Sequence, residues 1–320
     1  MTRFGFHASH EQHAPDRLLA YVRAAESAGF EGGMCSDHFH PWLPEEGQSG
    51  YAWAWLGAAM QATALTFGTV SAPGWRYHPA IVAQKAATLG VMFPGRFWLA
   101  VGSGEALNEG ITGLPWPPKA RRTARLAECA EVMKRLWRGE TVTHHGEIVV
   151  EDAKLYTRPR EAPLLFGAAL SEETAAAVAP WADGLCTIGG EEEDVRKVID
   201  AFRAHGGEGK PVYLQHVVSW APTEDGARRQ AHWQWRQSVL GGAVLPELRT
   251  PAQFAAAAER VTEEDVARLV RVSSDLARHA EWLSIYPRLG VDAVYIMNAG
   301  KNQEQYIEAF GAKVLPGLRR

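Results

Sequence analysis

A closed α/β barrel of the TIM (β/α)8 kind, with insertions, is the fold class this sequence predicts, and three observations predict it. Eight short β-rich runs recur along 320 residues. Most are separated by segments whose apolar residues repeat with a 3.6-residue period. The length suits one barrel of roughly 250 residues plus insertions better than a compact core of the usual ~100–150 residues. Strand–helix alternation with right-handed crossovers implies a parallel sheet, and a count of eight favours closure over an open doubly wound sheet, the alternative.

The first strand is expected at 3–8, with no charged segment and apolar run of a secretory leader ahead of it. Ala14-Pro15-Asp16 then opens a helix carried by Leu18, Leu19, Val22, Ala25 and Phe30. Further strands follow at 32–36, 65–72, 96–102, 163–168, 184–188, 211–220 and 291–298, and most of the segments between them read as crossover helices. Three stretches exceed the minimal repeat. Residues 105–118 follow the fourth strand; 141–157 read as a hairpin turning at Gly146; 222–265 are rich in Ala and Trp and broken by Gly241-Gly242, Pro246 and Pro251. They read as insertions or lids on a single domain spanning 1–320.

Composition narrows the function. With 46% apolar and 22% charged residues, a net charge of −4 and no long single-sign run, the chain reads as a soluble globular protein without the basic surface that nucleic acid or an anionic membrane requires. Small molecules are the expected partners. No apolar run reaches the ~18 residues of a membrane span. Cys35, Cys129 and Cys186 are odd in number, far apart and free of any C-x-x-C, so they encode neither a disulfide framework nor a zinc site and suit a reducing cytoplasm.

In such a barrel the loops after the strands converge on one mouth, and chemistry is sought there. The second strand ends in Ser36-Asp37-His38-Phe39-His40-Pro41-Trp42, the third in Ser71-Ala72-Pro73-Gly74-Trp75-Arg76-Tyr77, the fourth in Gly102-Ser103-Gly104-Glu105-Ala106-Leu107-Asn108-Glu109. His38 is the candidate base, because an imidazole near its reference pKa of ~6.5 takes a proton at neutral pH and a neighbouring acid fixes its tautomer. Most histidines are instead packed against a carbonyl; position favours chemistry for His38 and leaves His40 open. Gly102-Ser103-Gly104 lets backbone approach a ligand but is no dinucleotide fingerprint, since Leu107 stands where the third glycine belongs. Glu105 is either a proton donor, should desolvation raise its pKa, or a solvated loop carboxylate. Gly167-Ala168-Ala169-Leu170-Ser171 and Thr187-Ile188-Gly189-Gly190 each lead from strand to helix, where free N–H groups hold a phosphate or serve ordinary capping, with Ser171 the N-cap. Among the tryptophans, Trp53, Trp55, Trp233 and Trp235 read as packing, whereas Trp42 and Trp75 fall on the rim, where an indole can stack on a flat ligand. The basic run Lys119-Ala120-Arg121-Arg122 reads as a solvated helix face.

Three ordered motifs, Ser36-Asp37-His38-Phe39-x-Pro41-Trp42, Arg76-Tyr77-x-Pro79-Ala80 and Gly102-x-Gly104-Glu105-Ala106-Leu107-Asn108-Glu109, resemble the luciferase-like superfamily, specifically relatives of deazaflavin (F420)-dependent glucose-6-phosphate dehydrogenase. The likeness is dense over residues 3–137 and looser beyond. It implies a bacterial luciferase-like TIM barrel, a homodimer, F420 or FMN lying in the mouth, and hydride transfer to or from a small organic substrate. Carried over residue by residue, His38 is the base at the substrate hydroxyl, Trp42 steadies the reacting centre and Glu105 is the acid at the cofactor ring. Asp37, Ser103 and Asn108 would hold the cofactor. Val70, Ser71 and Ala72 would carry the family's non-prolyl cis peptide behind the ring. Thr187, Ile188 and Gly189 would meet the cofactor phosphate, and Gly167 and Ala168 are counted with the cofactor-binding set.

Departures from the family pattern matter. Gly190 stands where the sugar-phosphate dehydrogenases place a lysine, which argues against glucose 6-phosphate because a buried phosphate needs cationic partners; Arg268 is the candidate replacement. His7-Ala8-Ser9-His10-Glu11-Gln12, Pro115-Trp116-Pro117-Pro118-Lys119 and Leu155-Tyr156-Thr157-Arg158-Pro159 resemble a subgroup described as flavin users that do not employ the deazaflavin. The cofactor is therefore F420 or FMN. Reduced FMN also supports monooxygenation, which makes an FMN-dependent monooxygenase the alternative, with 222–265 as its shield. Two rivals remain: a metal-dependent TIM-barrel hydrolase, suggested by His38-x-His40 but short of ligands from later strands, and a non-catalytic flavin-binding protein.

Overall fold

The computed structural model describes residues 1–319. These form eleven strands: β1 (Arg3–Ala8), β2 (Gly32–Ser36), β3 (Thr66–Ser71), β4 (Phe97–Val101), β5 (Val142–His145), β6 (Val149–Ala153), β7 (Leu164–Ala168), β8 (Gly184–Ile188), β9 (Val212–Ser219), β10 (Arg271–Val272) and β11 (Ala293–Asn298). The order β9-β11-β1-β2-β3-β4-β7-β8 is parallel throughout, and β8 pairs back onto β9 to close the ring. The eight expected runs are the eight barrel strands, some trimmed by one or two residues where ladder bonding stops.

Periodicity also places the first helix correctly: it runs Pro15–Ser27 and buries Leu18, Tyr21, Val22 and Ala25 against the barrel. Ser171 caps the helix Glu172–Val178, its hydroxyl accepting from the Thr174 N–H. The 141–157 stretch is the antiparallel β5–β6 hairpin, turning through Gly146. Residues 222–265 form a strap of short helices, Glu224–Trp235, Pro251–Ala257 and Glu263–Ala267, with a 3-10 turn at Arg236–Leu240. Two residues give no readable pattern, so β10, which pairs with Val218 and Ser219 at the upper end of β9, is not foreseen. The expected cis peptide near Val70-Ser71-Ala72 is absent, since every peptide bond among the described residues is trans. There β3 continues its ladder, Ser71 facing Val101 and the Ser71 carbonyl accepting from the Gly102 N–H. No helix among the described residues is long and apolar enough to cross a membrane.

A layer of aromatic side chains closes the barrel interior below the mouth. Trp98, Phe166, Tyr213 and Tyr295 pack with ring centroids 4.4–6.1 Å apart, and the Trp98 indole donates to the Tyr295 hydroxyl at 3.1 Å. Glycines on neighbouring strands make room for these rings: a Cβ on Gly68 would lie 2.0 Å from Trp98, and one on Gly5 2.6 Å from Tyr295. Such a plug gives the mouth a rigid floor, because close-packed interiors transmit strain instead of absorbing it. Gly68→Ala is therefore expected to destabilise the fold by about 1–3 kcal/mol, read as a lowered urea midpoint at unchanged m-value; an unshifted midpoint would show that the plug has slack.

Candidate active site

The mouth is built from residues just past the strand ends. Beyond β1, Glu11 turns inward and its Oε1 lies 2.6 Å from His38 Nδ1, beyond β2; the side chains are 4% and 21% exposed. The Ser9 and Ser36 hydroxyls both donate to the other oxygen, Oε2, at 2.9 and 2.8 Å. Burial disfavours charge on the imidazole, but Glu11 outweighs it by charge and hydrogen bond, and the His38 pKa rises to about 9. Glu11, although desolvated, is held well below the carboxylate range by His38 and Ser36. With Nδ1 committed to Glu11, Nε2 is the atom left to exchange a proton. Trp42 meets His38 edge to face at 5.3 Å, and Phe254 of the strap meets Trp42 in the same way at 5.3 Å.

Glu105 precedes the short helix Ala106–Glu109, and its Oε2 is shut from solvent without a partner. Burial, together with the carboxylates of Glu109 and Glu11, raises its pKa to about 7 against the opposing pull of His38. His38 and Glu105 thus sense one another across the mouth, one biased toward holding a proton and the other titrating near neutrality. Gly104 adopts a φ of +82°, a conformation suited to glycine, and a Cβ there would strike Glu109 at 2.9 Å.

Several other expected residues are brought to this mouth but with their polar atoms already committed. The acid that fixes His38 is Glu11, not its neighbour Asp37. Asp37 is buried and accepts from Trp53 Nε1 and Ser71 Oγ on one oxygen, while the other faces the Tyr77 hydroxyl and Arg76. Asn108 accepts the Phe39 and His40 N–H groups at 2.8 and 3.1 Å, which sets the loop that carries His38. His40 faces the Leu107 carbonyl at 2.8 Å and is a loop-fixing residue. Ala72 is buried and borders Gly104, and Ser103 is half-exposed.

At the later strands, Gly167 serves helix packing, since a Cβ would fall 2.5 Å from Val178, while Ala168 faces Gly102. Thr187 is buried and Ile188 exposed. Gly189 donates its N–H to Gln215, and a Cβ there would strike His216 and Tyr286, so closeness to these rings explains this glycine.

Three side chains depart from expectation. Trp75 is buried between Trp116 and Arg125, off the rim, because Arg125 stacks on it at 3.9 Å. Arg122 is no solvated face: it is buried, lies over Trp116 and pairs with Glu247 of the strap. Arg268 pairs with Asp265 on the surface, whereas Arg271 reaches Gly190 and Glu191 at the end of β8. Glu11 had a usable signal, its place three residues after a barrel strand; Arg271 had none, because its strand is two residues long.

The luciferase-like monooxygenase family model matches residues 1–293. An F420-dependent glucose-6-phosphate dehydrogenase of Microbacterium testaceum (strain StLB037) is 35% identical, with 99% of this chain and 98% of the relative covered. Among solved structures, an F420-dependent secondary alcohol dehydrogenase in complex with an F420-acetone adduct superposes with a TM-score of 0.91 at 29% identity, covering 100% of this chain and 99% of the other. The coenzyme F420-dependent tetrahydromethanopterin reductase of Methanopyrus kandleri shares the fold, with a TM-score of 0.77 at 19% identity and 99% of both chains covered.

Removing the charge of Glu11 leaves the desolvation of His38 poorly opposed. In Glu11→Gln the His38 imidazole is expected to titrate at or below its ordinary ~6.5, followed through its ring C–H signals in NMR. A midpoint still near 9 would assign the shift to another group.

Proposed function

Because this chain belongs to the luciferase-like monooxygenase family, we propose that it is an oxidoreductase moving hydride between F420 or FMN and a small alcohol or carbonyl compound other than glucose 6-phosphate. The observation that carries this reading is the pairing of His38, fixed by buried Glu11 and edged by Trp42, with the partnerless Glu105 Oε2.

The residues present fit a flat cofactor ring. Besides Glu105 Oε2, the backbone at the strand ends is open: a Cβ on Gly102 would meet only Ala168, at 3.5 Å, and one on Gly190 would meet nothing within 4 Å. Ala72, Ser103, Asn108 and Ala168 would border the ring, with Ser71 and Asp37 supporting them from beneath. Thr187, Ile188 and Gly190 would border the phosphate, Gly189 and Gly167 setting the backbone. When bound, either cofactor supplies a ring atom that accepts or returns hydride.

The chain's own residues supply the remainder. In alcohol oxidation His38 takes the hydroxyl proton at Nε2 while Glu11 stabilises the resulting imidazolium, Trp42 walls the reacting carbon, and Glu105 holds the proton exchanged at the ring. The strap limits water, being tied to the rim through the Ala106 N–H to Pro246 carbonyl bond, the Arg236–Glu45 pair and the Arg122–Glu247 pair. Among the described residues the cation that reaches Gly190 is Arg271, which also pairs with exposed Glu191 at 2.9 Å and would be shared with the cofactor phosphate before any phosphorylated substrate. The free, buried state of all three cysteines suits the reducing cytoplasm. A homodimer rests on the family likeness.

Titration of the protein with FMN and with F420, followed by stopped-flow reduction with candidate alcohols, tests the reading; no hydride transfer with either cofactor would sink it. His38→Ala should bind cofactor normally while turnover falls by about 10²–10⁴-fold. Oxidation requires neutral His38 and protonated Glu105, and carbonyl reduction the converse. With His38 at about 9 and Glu105 at about 7, the converse state prevails between those values. Both directions should therefore give bell-shaped kcat/KM profiles with limbs near pH 7 and 9, reduction drawing on the majority form; a profile flat across both values would remove the assignment.

A further inference from the structure

Helices on the outside of a barrel bury one face and turn a charged one to water. Helix Pro15–Ser27 does so with Asp16, Arg17 and Arg23, and helix Glu192–Phe202 with Glu193, Asp194 and Arg196. Helices Ala52–Ala62 and Pro79–Met92, which follow β2 and β3, break this pattern. The first exposes Ala54, Ala58, Gln61 and Ala62 and has no charged residue, and a Cβ on its Gly57 would meet nothing within 4 Å. The second exposes Gln84 and Thr88 together with Ile81, Val91 and Met92, which are 46%, 44% and 56% exposed. Its one charge, Lys85, is turned inward: Nζ is sealed from solvent, 3.3 Å from the centre of the Tyr77 ring and 5.2 Å from that of Trp53 on the neighbouring helix.

The apolar strip continues past both ends of the second helix. At its start the His78 ring meets the Val149 carbonyl at 2.9 Å and so brings up the β5–β6 hairpin, with Val149 exposed. Near its end a Cβ on Gly90 would lie 3.2 Å from Pro159 and 3.3 Å from Pro163, beside exposed Leu164. Two helices about 20 Å long and about 10 Å apart present on the order of 400 Å², and the hairpin side carries the patch toward the about 800 Å² that each partner of a stable dimer covers. A two-fold contact sets this face against its own image, where the lack of charge leaves no like charges opposed. An anionic membrane would call for outward lysine or arginine beside the apolar residues, and the one lysine of these helices faces the other way.

We propose that the outer faces of helices Ala52–Ala62 and Pro79–Met92, widened by the β5–β6 hairpin, form the contact between two copies of this chain. The proposal rests on the homodimer named above and gives it a face. The two helices flank the barrel outside β2 to β4, so the contact leaves both mouths open to cofactor and substrate. On the inner side of the first helix Trp53 donates to Asp37 at 2.9 Å, and the covered face therefore backs onto the loop that carries His38.

In sedimentation velocity at micromolar concentration the unmodified protein is expected at twice the chain mass. Ala58→Glu and Val91→Lys, each at an exposed position, would bury an unpaired charge in the contact and should weaken the dimer at least about a hundredfold, leaving a monomer that is folded by near-UV circular dichroism. Leu170→Lys, also at an exposed position but beyond β7, should leave the dimer intact. Because the three native cysteines are buried, a single added cysteine reports proximity without adding charge: Thr88→Cys should give a covalent dimer with a short bismaleimide, and Leu170→Cys should not. Should a charge variant fail to fold, these cross-links decide. An unmodified protein that sediments as a monomer removes the homodimer, and this face with it. A dimer that survives both charges, or that cross-links through Leu170→Cys and not through Thr88→Cys, overturns the face alone and puts the contact elsewhere.

Discussion

The ion pair between Glu11 and His38 is the contact on which the rest of the site depends. Taking a carboxylate and an imidazolium out of water costs several kcal/mol per ion unless the geometry is good and the remaining lone pairs are satisfied. Here the 2.6 Å ion pair and the two serine hydroxyls on the other carboxylate oxygen offset that cost. The separation of the pair is set by the β1–β2 ladder, in which Ala8 faces Cys35 immediately before the two loops diverge. A rigid parallel register thus becomes a fixed tautomer and a raised pKa.

A second charge arrangement keeps the three neighbouring loops in place. Arg76, beyond β3, binds Glu109 beyond β4 and faces Asp37 beyond β2, with Tyr77 beneath its guanidinium. This makes Asp37 a brace for the mouth, its oxygens engaged by Trp53, Ser71, Tyr77 and Arg76. It also places the Glu109 carboxylate where it helps keep Glu105 protonated closer to neutrality than an ordinary glutamate. The bracing and the raised pKa of Glu105 use the same few groups, so a substitution at Arg76 reaches both.

Stability and chemistry are divided along the barrel axis. The lower interior is filled by Trp98, Phe166, Tyr213 and Tyr295, rings large enough that glycines must face them. Above it the interior turns polar: His7 is buried with its pKa lowered to about 4, because desolvation keeps it neutral, and its Nδ1 has no partner. Unsatisfied buried groups are destabilising in isolation, by roughly 1–3 kcal/mol each.

The sequence by itself determined the eight barrel strands, the first helix, the hairpin at Gly146 and the Ser171 cap, and it put His38, Trp42 and Glu105 forward as candidates. Each is a local property, because strand and helix periodicity, turn residues and the position of a residue after a strand are all written in neighbouring positions. Only the tertiary structure decided which acid holds His38, that Asp37 and Gly167 serve the scaffold, that Trp75 and Arg122 turn inward, and that Arg271 takes the place beside Gly190. The physical reason is closure of the ring: it sets side by side loops that are far apart in the chain, and the partner a charged group takes there depends on distance and burial, which spacing along the sequence does not encode.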